Sequence, residues 1–179
     1  MADTYRINIA GLERDLVLCP LNEKLDIAGF IIFGDVELTI RAAEELLKRC
    51  PDFDYIVTPE AKSIPLAYEM SRQSGKKYFV ARKREKLYMK NPVKVEVRSI
   101  TTNAVQTLIL DGSEGEQIRD KKIVIVDDVI STGESLKAVE ELVSRFDCDV
   151  VAKCAVLAEG DASKRDDIVF LQELPLFFK

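Results

Sequence analysis

The chain has 179 residues, 47% of them hydrophobic, with 26 Lys and Arg against 31 Asp and Glu for a net charge of −5. That length suits one compact domain on the prior of roughly 100–200 residues per domain, and the composition is that of a globular rather than a disordered protein. The acidic balance argues against a general nucleic-acid or membrane-surface binder. The longest apolar run, Ile27 to Phe33, is far short of a membrane span, and the N-terminus has no signal-peptide shape. The expected setting is cytoplasmic, with neither nucleic acid nor membrane as a partner.

Two absences narrow the chemistry. Without any histidine, Ser-His-Asp and Cys-His systems, HExxH zinc sites and imidazole bases are excluded. Cys19, Cys50, Cys148 and Cys154 form no CxxC pair and read as cytosolic thiols. Neither GxGxxG nor GxxxxGK occurs, so dinucleotide-fold and P-loop readings fail.

In chain order, Tyr5-Arg6-Ile7-Asn8-Ile9 alternates and Leu16-Val17-Leu18 follows a turn, which predicts a hairpin. Asp35 is placed as an N-cap, and Val36, Ile40, Ala43 and Leu47 recur on one face of a helix over about 36–49. Tyr55 to Thr58 reads as a buried strand, Ile64 to Gln73 as a helix stopped at Ser74-Gly75, and Tyr78 to Ala81 as a strand. Val93 to Val97 and Val105 to Leu110 suggest an antiparallel excursion, mobile over 84–104 because it is polar and shows no core-facing stripe. Asp111 to Asp120 reads as loop. Lys122 to Val126 has the continuous apolar character of a central parallel strand. Leu136, Val139, Leu142, Val143 and Phe146 mark a helix, and Val150 to Leu157 and Ile168 to Leu171 the last strands. Strands alternating with helices mean α/β with a largely parallel sheet.

The segment Ile123-Val124-Ile125-Val126-Asp127-Asp128-Val129-Ile130-Ser131-Thr132-Gly133-Glu134-Ser135 carries the chemistry. A buried strand ends in adjacent carboxylates, and a hydroxyl- and glycine-bearing turn then opens a helix. Such a turn offers free N–H groups and a positive helix end to a phosphate. The carboxylates beside it need hydroxyls or a metal to face, and a ribose diol with Mg²⁺ meets that need. An Asp-rich strand end with a Ser/Thr cap is the plainer alternative. The Asp pair is expected to be ligand-facing and exposed. From Lys76 to Arg98, nine Lys and Arg against two Glu give a local +7, leaving −12 for the rest. A diphosphate ligand would explain that concentration; so would a solvated basic face or an RNA-contacting patch.

This segment resembles the 5-phosphoribosyl-1-pyrophosphate (PRPP) signature of the type I phosphoribosyltransferases. Further similarity, to the adenine phosphoribosyltransferase branch, lies in Ile32-Phe33-Gly34-Asp35-Val36, Thr58-Pro59-Glu60-Ala61-Lys62-Ser63-Ile64 and Ala81-Arg82-Lys83-Arg84-Glu85-Lys86-Leu87. It covers about Ile27 to Leu174. Departures are Gly34 for an arginine, Lys62 for an arginine, Glu134 for a second glycine, and Thr102 where the branch has a mobile-loop glutamate.

The resemblance implies a Rossmann-like, mostly parallel sheet flanked by helices, with a small hood and a mobile antiparallel loop excursion. Hood about 1–34, core about 35–160 and a C-terminal hood strand about 161–179 would form one phosphoribosyltransferase domain. It implies transfer of the phosphoribosyl group from PRPP to a purine, adenine first, with pyrophosphate released and a homodimer as the assembly. Asp127, Asp128 and Lys86 are then the catalytic set. PRPP lies on Asp127, Asp128, Val129, Ile130, Ser131, Thr132, Gly133, Glu134 and Ser135. Glu60, Ala61, Lys62, Ser63, Arg82, Lys83 and Lys86 attend the pyrophosphate. Ile32 and Phe33 bind the base, a plain core role for Phe33 being the alternative. Mg²⁺ is expected to arrive with PRPP, reaching Asp127 or Asp128 through water rather than binding protein directly. Gly34 adds no cation near the base, and Asp35 and Glu159 make its surroundings acidic, which favours the exocyclic amine of adenine. A hypoxanthine- or xanthine-using enzyme and a non-catalytic PRPP-sensing regulator of the same fold are the alternatives.

Overall fold

A computed structural model describes residues 3–98 and 105–179. Its frame is a five-stranded parallel sheet in the order β5-β4-β8-β9-β10. The strands are β4 (Tyr55–Pro59), β5 (Lys77–Ala81), β8 (Lys122–Ile130), β9 (Asp149–Glu159) and β10 (Val169–Leu174). Numbered among themselves they run 2-1-3-4-5, the doubly wound order whose switch point lies between the first and third strands. In this chain that is the gap between β4 and β8.

Alternation builds both faces of the sheet. Val124 and Val126 of β8 pack on one side with α1 (Val36–Arg49) and α2 (Ile64–Ser74). Ile123 and Ile125 pack on the other with α4 (Glu134–Ser144) and the β6–β7 ribbon (Val93–Arg98 and Val105–Leu110). A run that is apolar at every position therefore serves two cores at once.

Asp35 caps α1 as expected, its carboxylate accepting the Leu38 N–H at 3.1 Å. The buried face differs from the expected one: Leu38, Thr39, Ala42, Ala43 and Leu46 face the core, while Val36 and Ile40 are exposed. Asp111 to Asp120 is not loop throughout, since Asp111 caps a short helix α3 (Gly112–Ile118). The β6–β7 stem does have a core-facing stripe: Val95 and Leu108 are each 3% exposed and pack toward α4. The Thr102 position at the tip of this excursion lies outside the described residues.

The antiparallel sheet has the order β1-β2-β3-β11, with β1 (Thr4–Ile9), β2 (Leu12–Asn22), β3 (Leu25–Gly29) and β11 (Phe177–Phe178). Of the C-terminal segment only β11 joins it; β10 extends the parallel sheet beside β9. Ile7, Ile9, Leu16 and Ala28 of this sheet share one core with α1, α2 and β8. No helix among the described residues is long and apolar enough to cross a membrane.

Candidate active site

At the switch point, the loops leaving β4 and β8 face each other across a cleft of about 800 Å³. Crevices outside the carboxyl ends of parallel strands, at such a point, are where α/β sheets bind ligands. The β4 loop is fastened before it reaches the cleft. Thr58 Oγ1 lies 2.8 Å from both Ser63 Oγ and the Val126 carbonyl oxygen, and Ser63 Oγ donates to the Pro59 carbonyl at 3.1 Å. The buried hydroxyls thus join residues 59–63 to the strand residue just before the Asp pair. Ser63 lines the cleft, but its hydroxyl is engaged within the protein.

β8 does not stop at Val126; it continues to Ile130, so Asp127 and Asp128 sit inside the strand. They are 8% and 4% exposed, against the exposed strand end that the sequence suggested. Asp127 Oδ1 accepts the Asp128 N–H at 2.9 Å. Lys62 Nζ stands 3.0 Å from Asp128 Oδ2 as an ion pair. The alignment is not that of a hydrogen bond, and Asp128 Oδ2 is buried without a donor. Burial, reinforced by the Asp128 charge next door, pushes the Asp127 carboxyl up to about 7. Two buried carboxylates facing a cavity, one with an unsatisfied oxygen, await hydroxyl donors or a cation.

Beyond Ile130 the chain turns through Gly133, whose φ of +80° favours glycine, into α4. The N-cap residue offers no side-chain cap; the Glu134 N–H reaches Thr132 Oγ1 at 3.5 Å, and the N–H groups of Ser135 and Leu136 have no acceptor among the described residues, which suits an outside one. A pocket of about 130 Å³ fits the turn, lined by Ile130, Ser131, Thr132, Gly133, Glu134 and Ser135 together with Asp127, Val129 and Gln106. Asp127, Val129, Ser135 and Gln106 also wall the larger cleft, so the two spaces adjoin. One end suits a phosphate, the middle presents carboxylates, and the other end is basic.

Of the pyrophosphate set, Glu60, Ala61, Lys62, Ser63 and Lys83 line the cleft. Glu60 accepts the Lys83 N–H at 2.9 Å, and Arg82 Nε approaches the same carboxylate at 3.5 Å. Arg82 braces the loop from outside the cleft; its backbone exchanges 2.8 Å hydrogen bonds with Ile109 of β7. Lys86 is not among the lining residues, and its backbone pairs with Met89. Ile32 is fully buried in the core, while Phe33 is 51% exposed; neither lines the cleft. Arg84, Gln106 and Thr107 do line it and were not anticipated. Arg84 sits in the basic run of 76–98, whereas nothing local marks Gln106, which arrives because β7 pairs with Arg82 just beyond the end of β5.

Comparison with known proteins agrees with this geometry. A family model described as the phosphoribosyl transferase domain matches residues 35–175. The hypoxanthine/guanine phosphoribosyltransferase of Methanocaldococcus jannaschii is 30% identical over 162 residues, covering 86% of this chain and 85% of that protein. The same enzyme of Methanothermobacter thermautotrophicus is 33% identical over 129 residues, covering 72% of this chain. There the match spans only 63% of the relative's length. Among solved structures, adenine phosphoribosyltransferase from Thermoanaerobacter pseudethanolicus superposes with a TM-score of 0.72 at 19% identity, over 88% of this chain and 95% of that one. The Trypanosoma brucei enzyme, in complex with AMP, pyrophosphate and ribose-5-phosphate, gives 0.65 at 17% identity, over 79% and 67%. At such identities the likeness is one of fold. With the family match running from the cap of α1 past the end of β10, and with the turn and carboxylate pair inside it, this chain belongs to the phosphoribosyl transferase domain family.

Proposed function

We propose that this protein is a purine phosphoribosyltransferase, moving the 5-phosphoribosyl group of PRPP onto a purine ring nitrogen with release of pyrophosphate. The observation that carries this reading is the continuous site at the switch point, running from the hydroxyl- and glycine-bearing turn at 131–135 through the carboxylate pair to a basic loop. The names of the sequence relatives support it. In the reaction a C–N bond forms at the sugar's anomeric carbon as its bond to the pyrophosphate oxygen breaks. No protein nucleophile is required.

The chain's residues would position and stabilise rather than attack. The turn at 131–135 holds the 5′-phosphate, while Asp127 and Asp128 accept from the ribose hydroxyls. Lys62, Lys83 and Arg84 meet the charge that grows on the departing pyrophosphate. Walls of β7 and the β4 loop keep water from the cationic sugar. Mg²⁺ belongs to this reading as a companion of PRPP. Among the described residues no cluster of three metal-ligating side chains exists, yet the unsatisfied Asp128 Oδ2 and its neighbour Asp127 suit a cation delivered by the substrate. When bound, it would offset the diphosphate charge.

Two bases fit this reading. The adenine reading leaned on acidic surroundings, but Asp35 is neutralised by a two-point pair with Arg14, at 2.6 and 3.0 Å. That leaves Glu159 alone of the two. The curated relatives, at 30–33% identity, are named for hypoxanthine and guanine, which favours a 6-oxopurine. A homodimer is proposed because the exposed Val36, Ile40 and Tyr68 line one groove, which a second copy would cover. A cytoplasmic location goes with four free thiols.

The test is nucleotide formation from PRPP, Mg²⁺ and a panel of free bases, with adenine and hypoxanthine in direct competition. Hydrogen-bonding sites reject the wrong donor pattern by about 10⁴-fold, so one class of base should dominate. Turnover of no purine at millimolar PRPP would overturn the function.

A further inference from the structure

Gly133 is crowded from outside the motif. A β-carbon there would lie 2.8 Å from Arg165 Nη1, so the guanidinium rests against the backbone of the phosphate turn. Arg165 follows the short 3₁₀ helix Gly160–Lys164 that links β9 to β10, about thirty residues away in sequence. Its other two nitrogens are taken: Nε and Nη2 donate to the two oxygens of Asp167, each at 2.8 Å. Asp167 is also paired with Lys153 of β9, which reaches Glu140 of α4 at 3.0 Å. The chain of ion pairs anchors Arg165 to the helix whose N-terminus it approaches. Its third nitrogen is left aimed at the turn, with no acceptor in the protein among the described residues.

A fixed guanidinium beside the turn adds positive potential there, and a donor on a rigid fork gives direction as well as charge.

We propose that Arg165 is a substrate-binding residue for the phosphate end of the phosphoribosyl donor, presented by Asp167 and Lys153. This rests on the function proposed above and adds to it a group that the turn sequence does not contain. The role is confined to one end of the ligand. Arg165 acts on the 5′-phosphate, not on the pyrophosphate, which meets Lys62, Lys83 and Arg84 across the cleft.

The experiment is calorimetry of ribose 5-phosphate and, separately, of pyrophosphate with Mg²⁺, on the unaltered protein, Arg165→Met and Arg165→Lys. Met keeps much of the side chain's bulk and removes its charge; Lys keeps the charge and loses the fork. A charge-assisted hydrogen bond corresponds to about 10- to 100-fold in affinity. Arg165→Met should therefore weaken ribose 5-phosphate by about that factor and leave pyrophosphate within about twofold. Arg165→Lys should recover most of the loss. Equal binding by Arg165→Met and the unaltered protein would overturn the assignment, as would equal losses in both variants or a matching loss for pyrophosphate. Should Arg165→Met fail to fold, Asp167→Asn, which frees the guanidinium without removing it, must give a smaller loss of the same selectivity; no loss would overturn the assignment. Failure of the unaltered protein to bind ribose 5-phosphate would instead overturn the function on which it rests.

Discussion

Burying Asp127 and Asp128 in a strand whose neighbours are aliphatic costs folding energy, and the raised Asp127 carboxyl shows where that cost falls. In the unfolded chain this group titrates near 3.8, in the folded one near 7. Between those values the folded state holds a proton that the unfolded state has lost. Its contribution therefore falls as pH rises through that window and is flat above it. Asp127→Asn should stabilise the apo protein by about 1–3 kcal/mol at pH 8, with the gain vanishing toward pH 4. Chemical denaturation of both proteins at pH 4, 6 and 8 checks this. A destabilised variant at pH 8 would mean that the carboxylate supports the fold. The same substitution should abolish PRPP binding, which separates the residue's functional cost from its structural one.

At the scale of elements, local signals proved legible and tertiary ones did not. The phosphate turn is a contiguous run, so its strand, carboxylates, hydroxyls and glycine could be read directly. The cleft's far wall could not, because Gln106 and Thr107 meet it only through the pairing of β7 with β6 and with Arg82. α3 has no apolar period, because six of its seven residues are polar or glycine and only Ile118 is apolar; what fixes it is Asp111, which accepts from Ser113 N–H at 2.8 Å and from Lys90 N–H at 3.0 Å. The antiparallel pairing of β6 and β7 is legible in the alternation, but the face that it buries is not. Val93, Val95 and Val97 alternate with charges, and only the position of α4 reveals that they face a core. The stem should consequently be rigid without ligand. Ladder amides of residues 93–97 and 106–110 should exchange at least about 10²-fold more slowly than unstructured ones in the apo protein, as buried paired amides do. Free exchange along the stem, slowed only by PRPP, would instead support a fully mobile excursion.

The whole molecule is closed by its two ends. β11 pairs with β3 through Phe177 and Asp26, the Phe177 ring meets Tyr5 edge-on at a 5.0 Å centroid distance, and Lys179 Nζ lies 2.8 Å from Asp26 Oδ1. Leu174, at the end of β10, is 1% exposed in the same core that holds Ile9, Ile32 and Val126. The antiparallel sheet thus has no hydrophobic centre of its own; it is one wall of the core on which α1 and α2 sit. A unit without a separate core should not unfold separately. Removing the half-buried Phe177 ring should then lower global stability rather than release the hood. Phe177→Ala should cost about 1–2 kcal/mol, less than the full burial value for a phenylalanine, and shift one urea transition to lower midpoint with its slope unchanged. Far-UV dichroism, which reports helices and sheets alike, and the part of the tyrosine fluorescence that Tyr5→Phe removes, which isolates Tyr5 among the five tyrosines, should move together. A fluorescence change preceding the dichroism would show that the hood opens on its own, placing the division between subdomains at the end of β3 and not at the surface of the molecule.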